Sequence, residues 1–156
     1  MAISSGQAAP SIKLYSSDKK PVLLEDYRDH NVLVLFFPLA FSSVCTAELC
    51  SIRDNIARYN EVDALVIGIS VDSVYVLNKF KQDQHLNFTL LSDFNKTASK
   101  SFDVLYETFG YDMQGVSKRA AFVIDKNGII RYSEECASPA DLPNFDKIQE
   151  VLSGLK

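Results

Sequence analysis

NVLVLFFPLAFSSVCTAELCSIRDNIARY, from Asn31 to Tyr59, carries three local instructions in succession. Asn31–Phe37 is an unbroken apolar run rich in β-branched and aromatic residues, which predicts a strand buried on both faces. Pro38 ends it, because a proline has no N–H to give to a sheet ladder. Ser42 and Ser43 are favourable helix N-caps, and Glu48 is expected in the first turn, where the helix dipole favours an acid. From Cys45 onward the pattern is helical. Cys45, Leu49, Ile52, Ile56 and Tyr59 follow one another at spacings of four, three, four and three, which is one helix face. Arg53, Asp54 and Arg58 lie off that face. Cys45 therefore stands where a loop becomes a helix.

The flanking sequence supplies a scaffold for this unit. Upstream, residues to Pro10 are small and polar and read as a loose lead-in. Ser11–Ser16 alternates as an edge strand would, Pro21–Leu24 is a short return strand, and Asp26–His30 is a polar connection. Downstream, Ala64–Ser70 is a second apolar strand and Ser73–His85 a helix capped by Asp72 or Ser73. Phe88–Asp93 is a strand, Asn95–Val104 a short helix and Tyr106–Ser117 an irregular stretch. Lys118–Asp125 and Gly128–Ser133 flank Lys126-Asn127-Gly128, a hairpin signal. Pro139 and Pro143 mark a loop before a closing helix from Phe145. This alternation predicts an α/β chain: a central mixed β-sheet flanked by helices on both faces, with an N-terminal β-hairpin. Its 156 residues suit a single domain, 1–156. In such sheets a site is expected at the carboxyl end of a strand, where Phe37 gives way to Cys45.

Bulk composition narrows the function. A net charge of −4 argues against a nucleic-acid partner or an anionic membrane surface. No apolar run reaches transmembrane length, and MAISSGQAAP lacks the basic and apolar regions of a secretory signal. Three cysteines leave one thiol unpaired within the chain, which suits a reducing compartment and a cytoplasmic location. They lack the second paired cluster that a zinc site needs. His30 and His85 fall in no motif, so a Cys–His hydrolase finds no support.

The thiol at the helix start is the chemical candidate. An unperturbed thiol, with a pKa near 8.5, is about 3% ionised at pH 7. A helix N-terminus and a nearby arginine both favour the anion. A downward shift of roughly 2.5 units would take ~3.4 kcal/mol and make the thiolate about 90% populated. That gains only about 30-fold in reactive form, and a less basic thiolate is a poorer nucleophile. A fast enzyme must therefore also stabilise charge on the departing group. The bland alternative is a small hydrophobe heading an apolar helix stripe.

The loop Pro38-Leu39-Ala40-Phe41-Ser42-Ser43-Val44-Cys45 resembles the peroxiredoxin active-site motif, Pro-x₃-Thr/Ser-x₂-Cys, with Ser42 in the hydroxyl position. FFPLAF before the cysteine and Cys-Thr-x-Glu-Leu after it extend the match. ALVIGISVDS, FTLLSD and RAAFVIDKNGIIRY follow in order, so the resemblance spans essentially the whole chain. It implies a thioredoxin-like fold and a thiol peroxidase needing no haem, flavin or metal. By the same resemblance Cys45 is the peroxidatic cysteine, attacking a hydroperoxide oxygen and becoming a sulfenic acid. Ser42 would hydrogen-bond the peroxide and the thiolate, and Pro38 would shield the site. Arg119, opening an otherwise apolar strand, would face the sulfur; taken alone it reads as a strand-end arginine reaching solvent. By the same resemblance Glu48 would orient an arginine, although a first-turn acid explains it equally well.

Cys50 follows Cys45 by five positions, the spacing of the resolving cysteine in the Q-type (bacterioferritin-comigratory) subfamily. FFPLAF also resembles the E-type alkyl hydroperoxide reductases, some of which use one cysteine. On an ideal helix five residues give about 7.5 Å of rise and about 500° of rotation, so the two thiols diverge and a disulfide requires the first turns to unwind. Alternatively Cys50 is a helix thiol near Arg53 and Asp54. Cys136 lies beside Glu134 and Glu135, which disfavour its thiolate, and reads as a bystander. The resemblance implies thioredoxin or a low-molecular-weight thiol as reductant, and a homodimer if the E-type likeness holds. Phe41, Phe109 and Tyr111 either line such an interface or pack inside. The rival from another class is a thioredoxin-like redox-sensing or chaperone-type module without turnover. A disulfide reductase is disfavoured because Cys45-x₄-Cys50 is not Cys-x-x-Cys.

Overall fold

The computed structural model describes residues 2–155. The run from Asn31 forms β3 (Asn31–Phe36), buried at every position, in the interior of a seven-stranded sheet. Around it lie β1 (Lys13–Ser16), β2 (Pro21–Leu23), β4 (Ala64–Ser70), β5 (Thr89–Ser92), β6 (Ala120–Ile124) and β7 (Ile130–Glu135), in the order β2-β1-β5-β4-β3-β6-β7. β3, β4 and β5 run parallel; β6, β7, β1 and β2 pair antiparallel. The sheet is thus mixed, as the alternation predicts.

Alternate residues of β3 feed two cores. Leu33, Leu35 and Phe37 face α1 (Ser43–Asp54), α2 (Ile56–Glu61), α3 (Val74–Asp83) and α5 (Phe145–Leu155). Val32, Val34 and Phe36 pack on the other side with Ala98 of α4 (Thr97–Ser101) and Phe102 just beyond it. Gly68 interrupts the apolar run of β4 because that face is already filled: a Cβ there would lie 2.8 Å from Leu90 Cδ2 and 3.3 Å from Phe37 Cε1. Among the described residues no helix is long and apolar enough to cross a membrane.

Several expectations are corrected. β1 is not an edge strand; it lies between β2 and β5. The edge falls to β2, whose first residue, Pro21, has no N–H to pair. The lead-in is pinned rather than loose: Gly6 donates to the Ile130 carbonyl at 2.7 Å, and Ile130 donates back to Gln7 at 2.9 Å. The connection before β3 includes a 3₁₀ turn, Leu24–Tyr27, that buries Leu24. The stretch Tyr106–Ser117 folds as a small arm, closed by bridges between Leu105 and Ser117 and between Thr108 and Gln114. The helix expected to continue from Cys45 to Tyr59 is two helices, interrupted at Asn55 (φ −113°, ψ 16°), whose side chain donates to the Ser51 carbonyl at 2.8 Å. An asparagine that satisfies backbone groups locally competes with helix continuation. The apolar face still carries through, with Cys45, Leu49, Ile52 and Tyr59 all buried.

Candidate active site

Because β3 and β4 are parallel, the loops that follow them emerge at the same end of the sheet. The chain leaves β3 with the Phe37 N–H donating to Ile69 at 3.0 Å, turns at the buried Pro38, and enters α1 through Ser42. Ser42 occupies the N-cap position, but its hydroxyl donates backward to the Leu39 carbonyl at 2.8 Å and caps nothing. Its own carbonyl takes the Thr46 N–H at 2.9 Å. The first N–H groups of a helix have no partner within the helix. Those of Ser43, Val44 and Cys45 therefore stay available to a ligand oxygen.

Cys45 sits in the first turn of α1 and is 1% exposed. Arg119, immediately before β6, donates from Nη2 to Cys45 Sγ at 3.1 Å and from Nη1 to Glu48 Oε1 at 2.5 Å. The same guanidinium donates to the Pro139 carbonyl from Nε at 3.2 Å and Nη2 at 3.0 Å. Arg119 is 1% exposed, so the reading of a strand-end arginine reaching solvent is overturned. Its backbone is fixed too: the Cys136 N–H donates to the Arg119 carbonyl at 2.9 Å. Burial works against the charge of Arg119, but Glu48 and Cys45 outweigh it and hold its pKa above the ordinary value.

Glu48 is not a first-turn acid. α1 begins at Ser43, which places Glu48 in the second turn, fully buried on the face of Cys45 and Ile52. The signal was present in the sequence, since Cys45, Glu48 and Ile52 are spaced three and four apart. Burial pushes the Glu48 carboxyl up to about 7, outweighing the attraction of Arg119. Its second oxygen, Oε2, has no hydrogen-bond partner. A carboxyl whose folded pKa rises from 4.5 to about 7 favours the fold most fully below pH 4.5. That contribution is lost as pH rises to about 7, a total on the order of 3 kcal/mol. Urea titrations from pH 4.5 to 8 should therefore show Glu48→Gln gaining stability relative to wild type as pH rises, with the difference flat above pH 8. A difference constant with pH would contradict this account.

The thiol opens on a pocket of about 220 Å³ lined by Pro38, Ser42, Val44, Phe109, Arg119 and Pro139, among others. Pro38, Ser42, Cys45 and Arg119 thus meet, as the resemblance implies, although Ser42 reaches the pocket wall and its hydroxyl is given to Leu39. Phe109 arrives on the Tyr106–Ser117 arm, its ring against Tyr106 at 5.3 Å. Phe41 leans on Phe80 (ring centroids 5.0 Å apart) and Tyr111 is 98% exposed. Cys50 lies in the intact α1, half-buried, with Sγ 3.4 Å from Gln84 Oε1. Cys136 is buried, and burial together with Glu134 pushes its thiol up to about 12. Sequence reasoning missed the Pro139 carbonyl, which as a backbone group leaves no side-chain signal, and the contact that Asp72 makes with this loop.

A model of the AhpC/TSA family matches residues 5–133. The chain belongs to the AhpC/TSA family. Within it, the peroxiredoxin Bcp of Bacillus subtilis (strain 168) is 37% identical over 130 residues, 82% of this chain and 82% of that protein. The mitochondrial thioredoxin-dependent peroxide reductase of Drosophila melanogaster is 34% identical over 160 residues, covering 96% of this chain and 64% of that one. The crystal structure of peroxidoxin BcpB from Mycobacterium tuberculosis matches with a TM-score of 0.87 over 99% of both chains, at 26% identity. AhpC/TSA membership bears out the thioredoxin-like fold and the peroxidase class that the loop motif implied.

Proposed function

We propose that the chain reduces hydrogen peroxide and organic hydroperoxides at Cys45. The observation that carries this reading is the 3.1 Å contact from Arg119 Nη2 to Cys45 Sγ at the wall of an open pocket. The Cys45 thiolate attacks the terminal peroxide oxygen. A sulfur–oxygen bond forms, the O–O bond breaks, and the electron pair leaves on the second oxygen, which takes a proton and departs as water or alcohol. Arg119 and the uncapped N–H groups of α1 are placed to hold the oxygen on which charge develops, and such preorganised donors are worth most in a water-poor site. Cys45 is left as a sulfenic acid. Pro38 and Phe109 wall the pocket, and Glu48 orients the guanidinium.

Cys50 is the proposed resolving thiol. It displaces water from the sulfenic acid to form a Cys45–Cys50 disulfide, which requires the first turns of α1 to open. A dithiol such as thioredoxin, or a small thiol, then reduces the disulfide. The name of the Drosophila relative supports thioredoxin. Three unpaired cysteines support a reducing, cytoplasmic setting.

The test is to mix the reduced protein with one equivalent of peroxide and follow its consumption. A rate no faster than that of a free thiol ends the proposal. In the same samples, intact-protein mass spectrometry should show loss of two hydrogens in wild type, and retained sulfenic acid without a disulfide in Cys50→Ser. If wild type also accumulates sulfenic acid alone, Cys50 is not the resolving residue.

A further inference from the structure

We propose that Asp72 is a positioning residue for the reaction at Cys45, acting through the loop that carries the sulfur. This rests on the assignment of Cys45 as the reacting thiol. Asp72 follows β4, beside the start of α3, where an acid would ordinarily cap the helix. It does not do so: Ser73 is the cap, accepting the Val76 N–H at 3.1 Å. The Asp72 carboxylate turns to the neighbouring loop instead, and Oδ2 accepts the Ala40 N–H at 2.7 Å.

The acceptor is itself rigidly held. Ser70 Oγ donates to the same Oδ2 at 2.6 Å and accepts the Asp72 N–H at 3.2 Å. Ser92 Oγ donates to the Asp72 carbonyl at 2.6 Å. Two serines at the ends of neighbouring parallel strands thus hold Asp72, Ser70 through its carboxylate oxygen and Ser92 through its backbone carbonyl. A group so constrained restrains whatever binds it.

The residue next to Ala40 needs such restraint. Phe41 has a φ of 69°, a left-handed conformation disfavoured for residues other than glycine. The clasp on Ala40 lies on one side of it and the N-cap Ser42 on the other, and its ring rests on Phe80. Without the clasp Phe41 is free to relax to a negative φ, and the start of α1 moves with it. Cys45 is only the third residue of that helix. Arg119 does not follow, because it immediately precedes β6 and is held from outside α1, by the Pro139 carbonyl and by the Cys136 N–H on its own carbonyl. The sulfur, its N–H groups and the guanidinium then fall out of register. Asp72 thus acts on the geometry that serves the peroxide, not on the presence of the thiol.

The experiment compares two rates at Cys45: reaction with hydrogen peroxide, and alkylation by iodoacetamide, which needs no donor for a departing oxygen. Asp72→Ala should slow peroxide reduction about tenfold while alkylation changes less than about twofold. Asp72→Asn keeps an acceptor oxygen and should stay within about threefold of wild type on both. If Asp72→Ala fails to fold, Asp72→Ser, too short to reach Ala40, takes its place. An unchanged ratio of the two rates in the truncated variant overturns the proposal, as does an Asp72→Asn protein as impaired as Asp72→Ala. Cys45→Ser runs alongside. If it abolishes fast peroxide consumption, the assignment of the reacting thiol stands whatever Asp72 does; if it does not, both fall.

Discussion

Cys45→Ser removes peroxide consumption down to the background of ordinary thiols, a loss of more than about a thousandfold. A serine hydroxyl cannot be oxidised to the oxygen-transfer product, so no partial activity survives through it. The remaining thiols do not substitute. Cys136 is held at about 12, which leaves about one part in a hundred thousand as thiolate at pH 7. Cys50 lies within α1 against Gln84, and Arg53, whose charge reaches it, gives its hydrogen bonds to Asp54 and the Gln84 carbonyl. The fold should tolerate the change, since serine is close in size and Arg119 keeps Glu48 and Pro139 as acceptors. Stopped-flow mixing with a peroxide-specific readout measures the loss. A rate within tenfold of wild type would sink the assignment of Cys45.

Arg119→Ala should slow the same reaction by about 10²–10³, the usual consequence of removing one donor to developing oxyanion charge. Two effects on stability accompany it. Breaking a buried ion pair costs about 3–5 kcal/mol when the orphaned partner remains charged. Here Glu48 already sits at about 7 with Arg119 present, so without it the carboxyl takes up a proton and part of that cost is avoided. The destabilisation should therefore be larger at pH 8.5 than at pH 6. Adding Glu48→Gln to Arg119→Ala should recover stability at high pH and recover no rate. Arg119→Lys should rescue poorly, because one ammonium on a flexible stem cannot reach Cys45 Sγ, Glu48 Oε1 and the Pro139 carbonyl together as the fork does. Full activity in Arg119→Lys would show that only a nearby positive charge is needed.

Much of the fold and the site is legible in the sequence. β3 follows from an unbroken apolar run and the face of α1 from a helical period, and Pro38 and Cys45 stand out where the one gives way to the other. Arg119 was placed by resemblance, because nothing local distinguishes a buried guanidinium from one at a solvent-facing strand end. Glu48 was misread although its spacing put it on the buried face; a carboxylate there has a desolvation cost that a sequence reading discounts unless it already knows the partner. Asp72 looked like a cap because Asp-Ser before an apolar run has that local meaning. Its actual contact depends on β3 and β4 being parallel neighbours, which is a property of the assembled sheet. The Ser42 hydroxyl, expected on the peroxide and the thiolate, donates to the Leu39 carbonyl, a backbone partner that leaves no side-chain signal.

The interruption at Asn55 sets the size of the piece that can melt. Had the chain run as one helix from Ser43 to Glu61, opening its start would have competed with a longer cooperative rod seated on the sheet. Divided as it is, α2 keeps its own anchor in Tyr59, 2% exposed, so that under the proposed resolution by Cys50 only α1 would have to rearrange. The free energy for linking Cys45 to Cys50 would then be bounded by one short foldon and not by the stability of the whole molecule. Oxidation and reduction at the proposed cysteine pair would then cycle this segment while the sheet stays folded.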